Sequence, residues 1–209
     1  MAYRCVATSV AGFVQQLAVA YVTHGYWFYV TGRIPEHKDP ALVDRKIIER
    51  YGIDVSKWTR TRRKRAGLAN VQYLRYGKFF VLLATHGQNP FFAAEGEQVL
   101  DIRKTPLKFA GYSIGCRFGR NSRTQHASVR IHRQIYAELK AHLEAIAVHR
   151  SVEDLIRELS SLPYEPYAPV RDQLRGILRS ANRQRKLAGL ELVSPSEIPW
   201  RRRQVRSRY

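Results

Sequence analysis

Acidic side chains are scarce in this chain of 209 residues: 17 Asp and Glu stand against 36 Lys and Arg, for a formal net charge of +19. An imbalance of that size exceeds what solubility needs, and it makes nucleic acid the first partner to expect. Cysteine is nearly missing too. Cys5 and Cys116 are separated by 111 positions, with no Cys-x-x-Cys and no Cys/His pair at zinc-ligand spacing. A disulfide framework and a metal knuckle are thereby excluded, no cofactor or metal site is expected, and a reducing cytoplasm is the expected compartment. Long apolar runs are lacking as well. The one stretch that approaches such a run, 10–22, is interrupted by Gly12, Gln15 and Gln16, so neither a signal peptide nor a membrane span is expected. Also missing are a Gly-rich phosphate loop, a G-x-S-x-G elbow and an HExxH helix, which removes the usual signatures of nucleotide hydrolases, serine hydrolases and zinc proteases.

What is present is ordinary globular material, 44% hydrophobic and 25% charged. Val10, Phe13, Val14, Leu17, Ala18 and Tyr21 recur at helical spacing after Ser9, which predicts a core helix closing near Gly25. The aromatic and β-branched segment 26–31 predicts a strand, 41–51 a second helix stopped by Gly52, and 71–76 with 78–84 two strands about a turn at Gly77. Phe79 to Leu83 is apolar at every position, as a strand covered on both faces would be. Asn89-Pro90 starts a short helix, and 107–118 pairs with 127–131 as a second hairpin. From Arg133 onward the pattern is helical, with Ser151 as a cap and Pro163, Pro166 and Pro169 as breaks before a long helix over about 170–188. The expected class is α+β: a mixed or antiparallel sheet with flanking helices, then a helical C-terminal region and a basic tail. The expected organisation is a core domain at 1–150 carrying a basic insert at 57–67, a helical region at 151–190, and a tail at 191–209.

Arginine supplies 27 of the 36 basic residues, and its planar guanidinium forks onto phosphates or stacks on bases where an ammonium cannot. These residues fall into clusters. In the last helix, Arg171, Arg175, Arg179, Arg183 and Lys186 occupy the face opposite Leu174, Ile177, Leu178 and Ala181, and only Asp172 relieves the repulsion among arginines spaced four apart. Lys57, Arg60, Arg62, Arg63, Lys64 and Arg65 lie within nine positions that contain no acid. Having no apolar face, this segment is expected to gain little from packing and to owe any order to a ligand. Trp58 is expected to anchor it to the core, with stacking on a base as the alternative. Arg120, Arg123, Arg130 and Arg133 surround a polar loop, and Arg201, Arg202, Arg203, Arg206 and Arg208 fill the tail.

The expected function is therefore binding to structured RNA or DNA through backbone contacts from Arg-rich surfaces, as a small subunit of a ribonucleoprotein or mobile-element complex would do. The catalytic alternative is a metal-independent nuclease. His24 and His86 share a Thr-His-Gly context at the ends of apolar elements, where they could act as acid and base, although a turn or capping role accounts for the same context. Asp101 with Glu138 and Lys140 has the residue types of a metal-dependent nuclease, but the Glu-x-Lys lies in a helical stripe. His126 and His132 are six apart, which is not the spacing of paired nickase histidines, and the segment from Arg120 to His126 is a loop. Association with an acidic protein or an anionic membrane is the weakest expectation, since no basic helix with bulky apolar anchors is evident.

Overall fold

The computed structural model describes residues 3–118 and 125–198. It is an α+β protein with two antiparallel sheets and a helical C-terminal region. Within the described residues, 3–107, 114–118 and 125–128 form one compact unit, and 108–113 with 129–198 form another. No described helix is long and apolar enough to cross a membrane.

The first unit begins with helix α1 (Val10–Gln15), capped by the Ser9 side chain, which accepts from the Gly12 N–H. The same helical path continues as a π-helical segment, Gln16–Tyr21, and a 3₁₀ turn, Val22–His24, before Gly25 ends it in the left-handed region. Strand β1 (Tyr26–Arg33) follows, then α2 (Pro40–Arg50), α3 (Lys57–Arg65), β2 (Val71–Tyr76), β3 (Phe79–Thr85), α4 (Pro90–Glu95) and the two-residue strand β4 (Leu100–Asp101). The sheet order is β2-β3-β1-β4. β3 is central, and Val81, Leu82, Leu83 and Ala84 are all buried, as an apolar strand covered on both faces requires. One face packs Val30, Val71, Tyr73, Leu82 and Ala84 with Tyr51, Ile53 and Phe91 from the α2 and α4 regions. On another side, Phe13 of α1 meets the Phe79 ring edge-on at 5.8 Å.

β1 and β3 are joined by no hairpin, yet their pairing is regular from Phe28↔Ala84 to Arg33↔Phe79. Gly32 sits opposite Phe80, and a Cβ on Gly32 would lie 2.3 Å from the Phe80 ring. The ring thus fills the place of the missing side chain.

Sequence and structure differ over 107–118. In place of one strand there are two, β5 (Leu107–Phe109) and β6 (Tyr112–Phe118), which are followed by β7 (Gln125–Ile131) in a three-stranded sheet whose residues fall in both units. The chain turns at Ala110 and Gly111, with φ of 45° and 81°. An alanine in a left-handed turn position carries no turn signal, which is why the break is not legible in the sequence. The two residues of β4 are too few to show any alternation.

The second unit contains α5 (Arg133–Ile146), α6 (Val152–Ser161) and α7 (Ala168–Leu187), and α5 packs on α7. α5, which the sequence reading groups with the first 150 residues, belongs to this second unit. Gln173 on α7 accepts from the Ile131 N–H at 2.8 Å and donates to its carbonyl at 3.0 Å.

Candidate nucleic-acid interface

α3 is the clearest correction to the sequence reading. The segment expected to lack order of its own is a helix of nine residues with protein contacts at both ends. Ser56 caps its start, its hydroxyl accepting from the Thr59 N–H at 3.1 Å. At its end the Leu68 N–H donates to the Arg63 carbonyl and the Gly67 N–H to the Lys64 carbonyl, with Gly67 at φ 73°. This six-to-one, five-to-two closure needs a residue that tolerates the left-handed region, which Gly67 supplies. Arg62, Arg63, Lys64 and Arg65 all fall in the last turn, where the negative end of the helix dipole favours cations. The basic run is thus helix-compatible because of where its charges fall.

Two of its arginines are structural. Arg60 donates to the Val55 carbonyl at 2.6 Å, while its own carbonyl accepts from Asn70 Nδ2 at 3.0 Å; Arg63 donates to the Gly52 carbonyl at 3.2 Å. Both are half-buried. Lys57, Arg62, Lys64 and Arg65 are exposed, and none has a carboxylate partner among the described residues. Trp58 is 79% exposed, so it is no core anchor. At about 100° per residue, Thr59, Arg63 and Arg60 fall on one arc, and Lys64, Lys57, Thr61, Arg65, Trp58 and Arg62 on the other. A cleft of about 240 Å³ borders the inner arc, lined by Arg50, Arg63, Leu68, Gln88 and Pro90 among others.

α7 matches the two-faced reading closely. Val170, Leu174, Ile177, Leu178 and Ala181 are buried, while Arg175, Arg179, Arg183 and Lys186 are exposed. Arg175 lies 3.6 Å from Asp172, a surface pair of small energetic weight. Arg171 departs from the stripe: it is half-buried, and its buried Nε has no hydrogen-bond partner among the described residues. Arg185, which the stripe does not include, is 4% exposed and donates to the Ala147 and Arg150 carbonyls at 2.7 Å each, and to that of Glu191. It ties the end of α5 to the segment after α7. Its place on the buried side of the helical wheel, at four residues from Ala181, is the signal that could have separated it from the cationic stripe.

The remaining expected positions are less informative. Arg120, Arg123, Arg201, Arg202 and Arg203 lie outside the described residues. Arg130 is half-buried and Arg133 exposed. His24 and His86 come to the same end of the β1–β3 ladder, because Tyr26 pairs with Thr85. Both are exposed, and the His86 ring lies 6.3 Å from that of Phe28. Asp101 is held by Arg103 through both carboxylate oxygens, at 2.9 and 2.6 Å, and this neighbour keeps its pKa below the usual carboxylate range. The Arg103 guanidinium lies in turn 4.4 Å from the Trp27 ring centroid. No group of three or more His, Cys, Asp or Glu able to hold a metal occurs among the described residues. Burial pushes both thiols, Cys5 and Cys116, up to about 11, so neither is a thiolate near neutral pH.

Compared with protein families, curated proteins and solved structures, the chain matches none.

Proposed function

We propose that this protein binds the phosphate backbone of nucleic acid through the outward faces of α3 and α7. One observation carries the reading: each helix is held in place by its other face, yet the outward faces concentrate Lys57, Arg62, Lys64 and Arg65 on one and Arg179, Arg183 and Lys186 on the other, with no described carboxylate to neutralise them. Like charges four apart on a helix cost a few tenths of a kcal/mol per pair, and phosphates remove that cost. Such contacts position a duplex or strand without reading its bases. If each cation neutralises one phosphate, log affinity falls with log salt at a slope of about −3 to −4 for the four cations of α3 and about −2 to −3 for the three of α7. A role inside a ribonucleoprotein or mobile-element complex fits a small protein of this charge.

The test is a salt titration of binding by the full chain. Changing Arg175, Arg179 and Arg183 to Gln should weaken binding to all sequences alike and make the slope shallower by about 1.4 to 1.8 units, the share of Arg179 and Arg183, since Arg175 is paired with Asp172. A salt-independent affinity overturns the proposal. The placement of His24 and His86 at one end of the ladder supports cleavage as a second reading. A His24→Ala/His86→Ala double variant should then lose cleavage of a labelled strand while still binding it, and an unaltered protein that cleaves nothing, with or without divalent metal, overturns that reading.

A further inference from the structure

We infer that α3 takes unpaired nucleic acid, with one base stacked on Trp58 and the neighbouring phosphates held by Arg62 and Arg65. This rests on the nucleic-acid reading above and specifies the form of the strand. Trp58 stands in the first turn of α3 and is 79% exposed. Residues three, four and seven further on are Thr61, Arg62 and Arg65, all exposed, so no apolar neighbour along the helix covers the ring. At about 100° per residue Arg62 and Arg65 lie within about 40° of Trp58 on either side, about one and two turns further along respectively. The result is a flat aromatic surface with a guanidinium on each flank.

The charge around the indole decides what can cover it. An apolar protein surface that buried Trp58 would also have to desolvate Arg62 and Arg65, at a cost that only matched anions offset. Nucleic acid supplies an aromatic plane and an anion within one nucleotide. In a duplex, however, the base planes are covered by their neighbours, and the outside of the helix offers phosphates, sugars and base edges but no open base plane. An exposed base plane exists in single strands, loops and frayed ends. Stacking there is sequence-tolerant, because every base has a π-face, and it works together with basic side chains that follow the backbone. Arg62 and Arg65 are placed for that backbone role, whereas Arg60 and Arg63 are committed to the Val55 and Gly52 carbonyls.

The experiment is a fluorescence-anisotropy titration of the full chain with labelled oligothymidine, oligouridine and a mixed-sequence duplex, each about 20 units long to exceed a single-strand site. Trp58→Ala should weaken binding to the single strands by about five- to a hundred-fold, the range for loss of one base–aromatic stack. Trp58→Phe should recover most of that loss, and the salt slope should stay as in the unaltered protein. Duplex affinity should change by less than about twofold, since phosphate contacts alone engage it. The oligothymidine and oligouridine arms show whether the strand is DNA or RNA. An unchanged single-strand affinity in Trp58→Ala, or an equal loss for the duplex, overturns the stacking. Failure of the underlying reading looks different: the unaltered protein then binds none of the three ligands, or binds them without salt dependence. Because the Trp58 side chain contributes nothing to the core, the Ala variant remains folded, and its thermal transition provides the check.

Discussion

Asp44 shows how much a single side chain can hold. It lies on α2 at 6% exposure and accepts from the Tyr73 hydroxyl at 2.6 Å and from Nε and Nη2 of Arg75 at 2.7 Å each, while Arg75 also donates to the Gly77 carbonyl. This buried cluster links α2 to β2. Asp44→Ala leaves a guanidinium buried without its counter-charge, for which about 3–5 kcal/mol is expected. A fall in the denaturation midpoint with an unchanged m-value would register it, and adding Arg75→Met should recover part of the loss. Asp101 makes a different, pH-dependent prediction. Its folded pKa is depressed by Arg103, so its contribution is complete above the ordinary Asp value near 4 and fades as pH falls through the folded pKa. Asp101→Asn should therefore be less stable than the unaltered protein at neutral pH, and the two unfolding curves should converge in acid. Asp44 does not stand out in the sequence, because a buried ion pair between α2 and β2 depends on a contact 31 residues apart that no local pattern encodes, and Asp101 was noticed only as a nuclease residue type and not as the partner of Arg103 two residues on.

At the scale of the element, the stops were more legible than the starts and the charges. Gly52, Gly67 and Gly189 each sit at a helix end closed by the same six-to-one hydrogen bond, donated by the N–H of the next residue, Ile53, Leu68 and Leu190, to the carbonyls of Ile48, Arg63 and Arg185 respectively; Gly52 and Gly189 are visible as glycines after helical runs. The helical nature of α3 was hidden because a hydrophobic pattern is the usual evidence for a helix and this one buries no residue. Its stability instead comes from its ends. Ser56→Ala should therefore destabilise α3 by about 1 kcal/mol and speed amide exchange within it more than in β3. The two faces of α7 were legible because burial alternates with charge at the helical period, but the role of Arg185 was not, since its partners are carbonyls at Ala147, Arg150 and Glu191 that no pattern within the helix encodes. The Arg175, Arg179 and Arg183 to Gln variant should keep the unfolding midpoint within experimental scatter, as Gln has nearly the helix propensity of Arg. By contrast, Arg185→Met should be clearly destabilised, because three carbonyls lose their donor.

For the molecule as a whole, composition gave the direction of the functional proposal, and the structure adds which basic side chains are exposed and which are held by the protein. A net charge of +19 says that anions are attracted, not which side chains meet them. Of the six basic residues in α3, four face outward and two brace the helix, a division that follows from helical geometry once the segment is known to be helical. The fold class was readable because strands and helices alternate in long, strongly patterned segments. The pairing order β2-β3-β1-β4 was not, because β1 reaches its partner across some fifty residues of intervening chain.

That long-range pairing has to find its register without a turn to set it. The β2–β3 hairpin is aligned by its own short connection, whereas β1 is free to slide along β3 during folding. Gly32 marks the place. A slip of two residues keeps every side chain on its proper face but brings Val30 or Ile34 beneath the Phe80 ring, where there is room for a hydrogen and no more. The ladder thus recognises its correct alignment by an absence, and Gly32→Ala should slow refolding as the ring is forced aside, with mispaired sheet accumulating early in a stopped-flow trace.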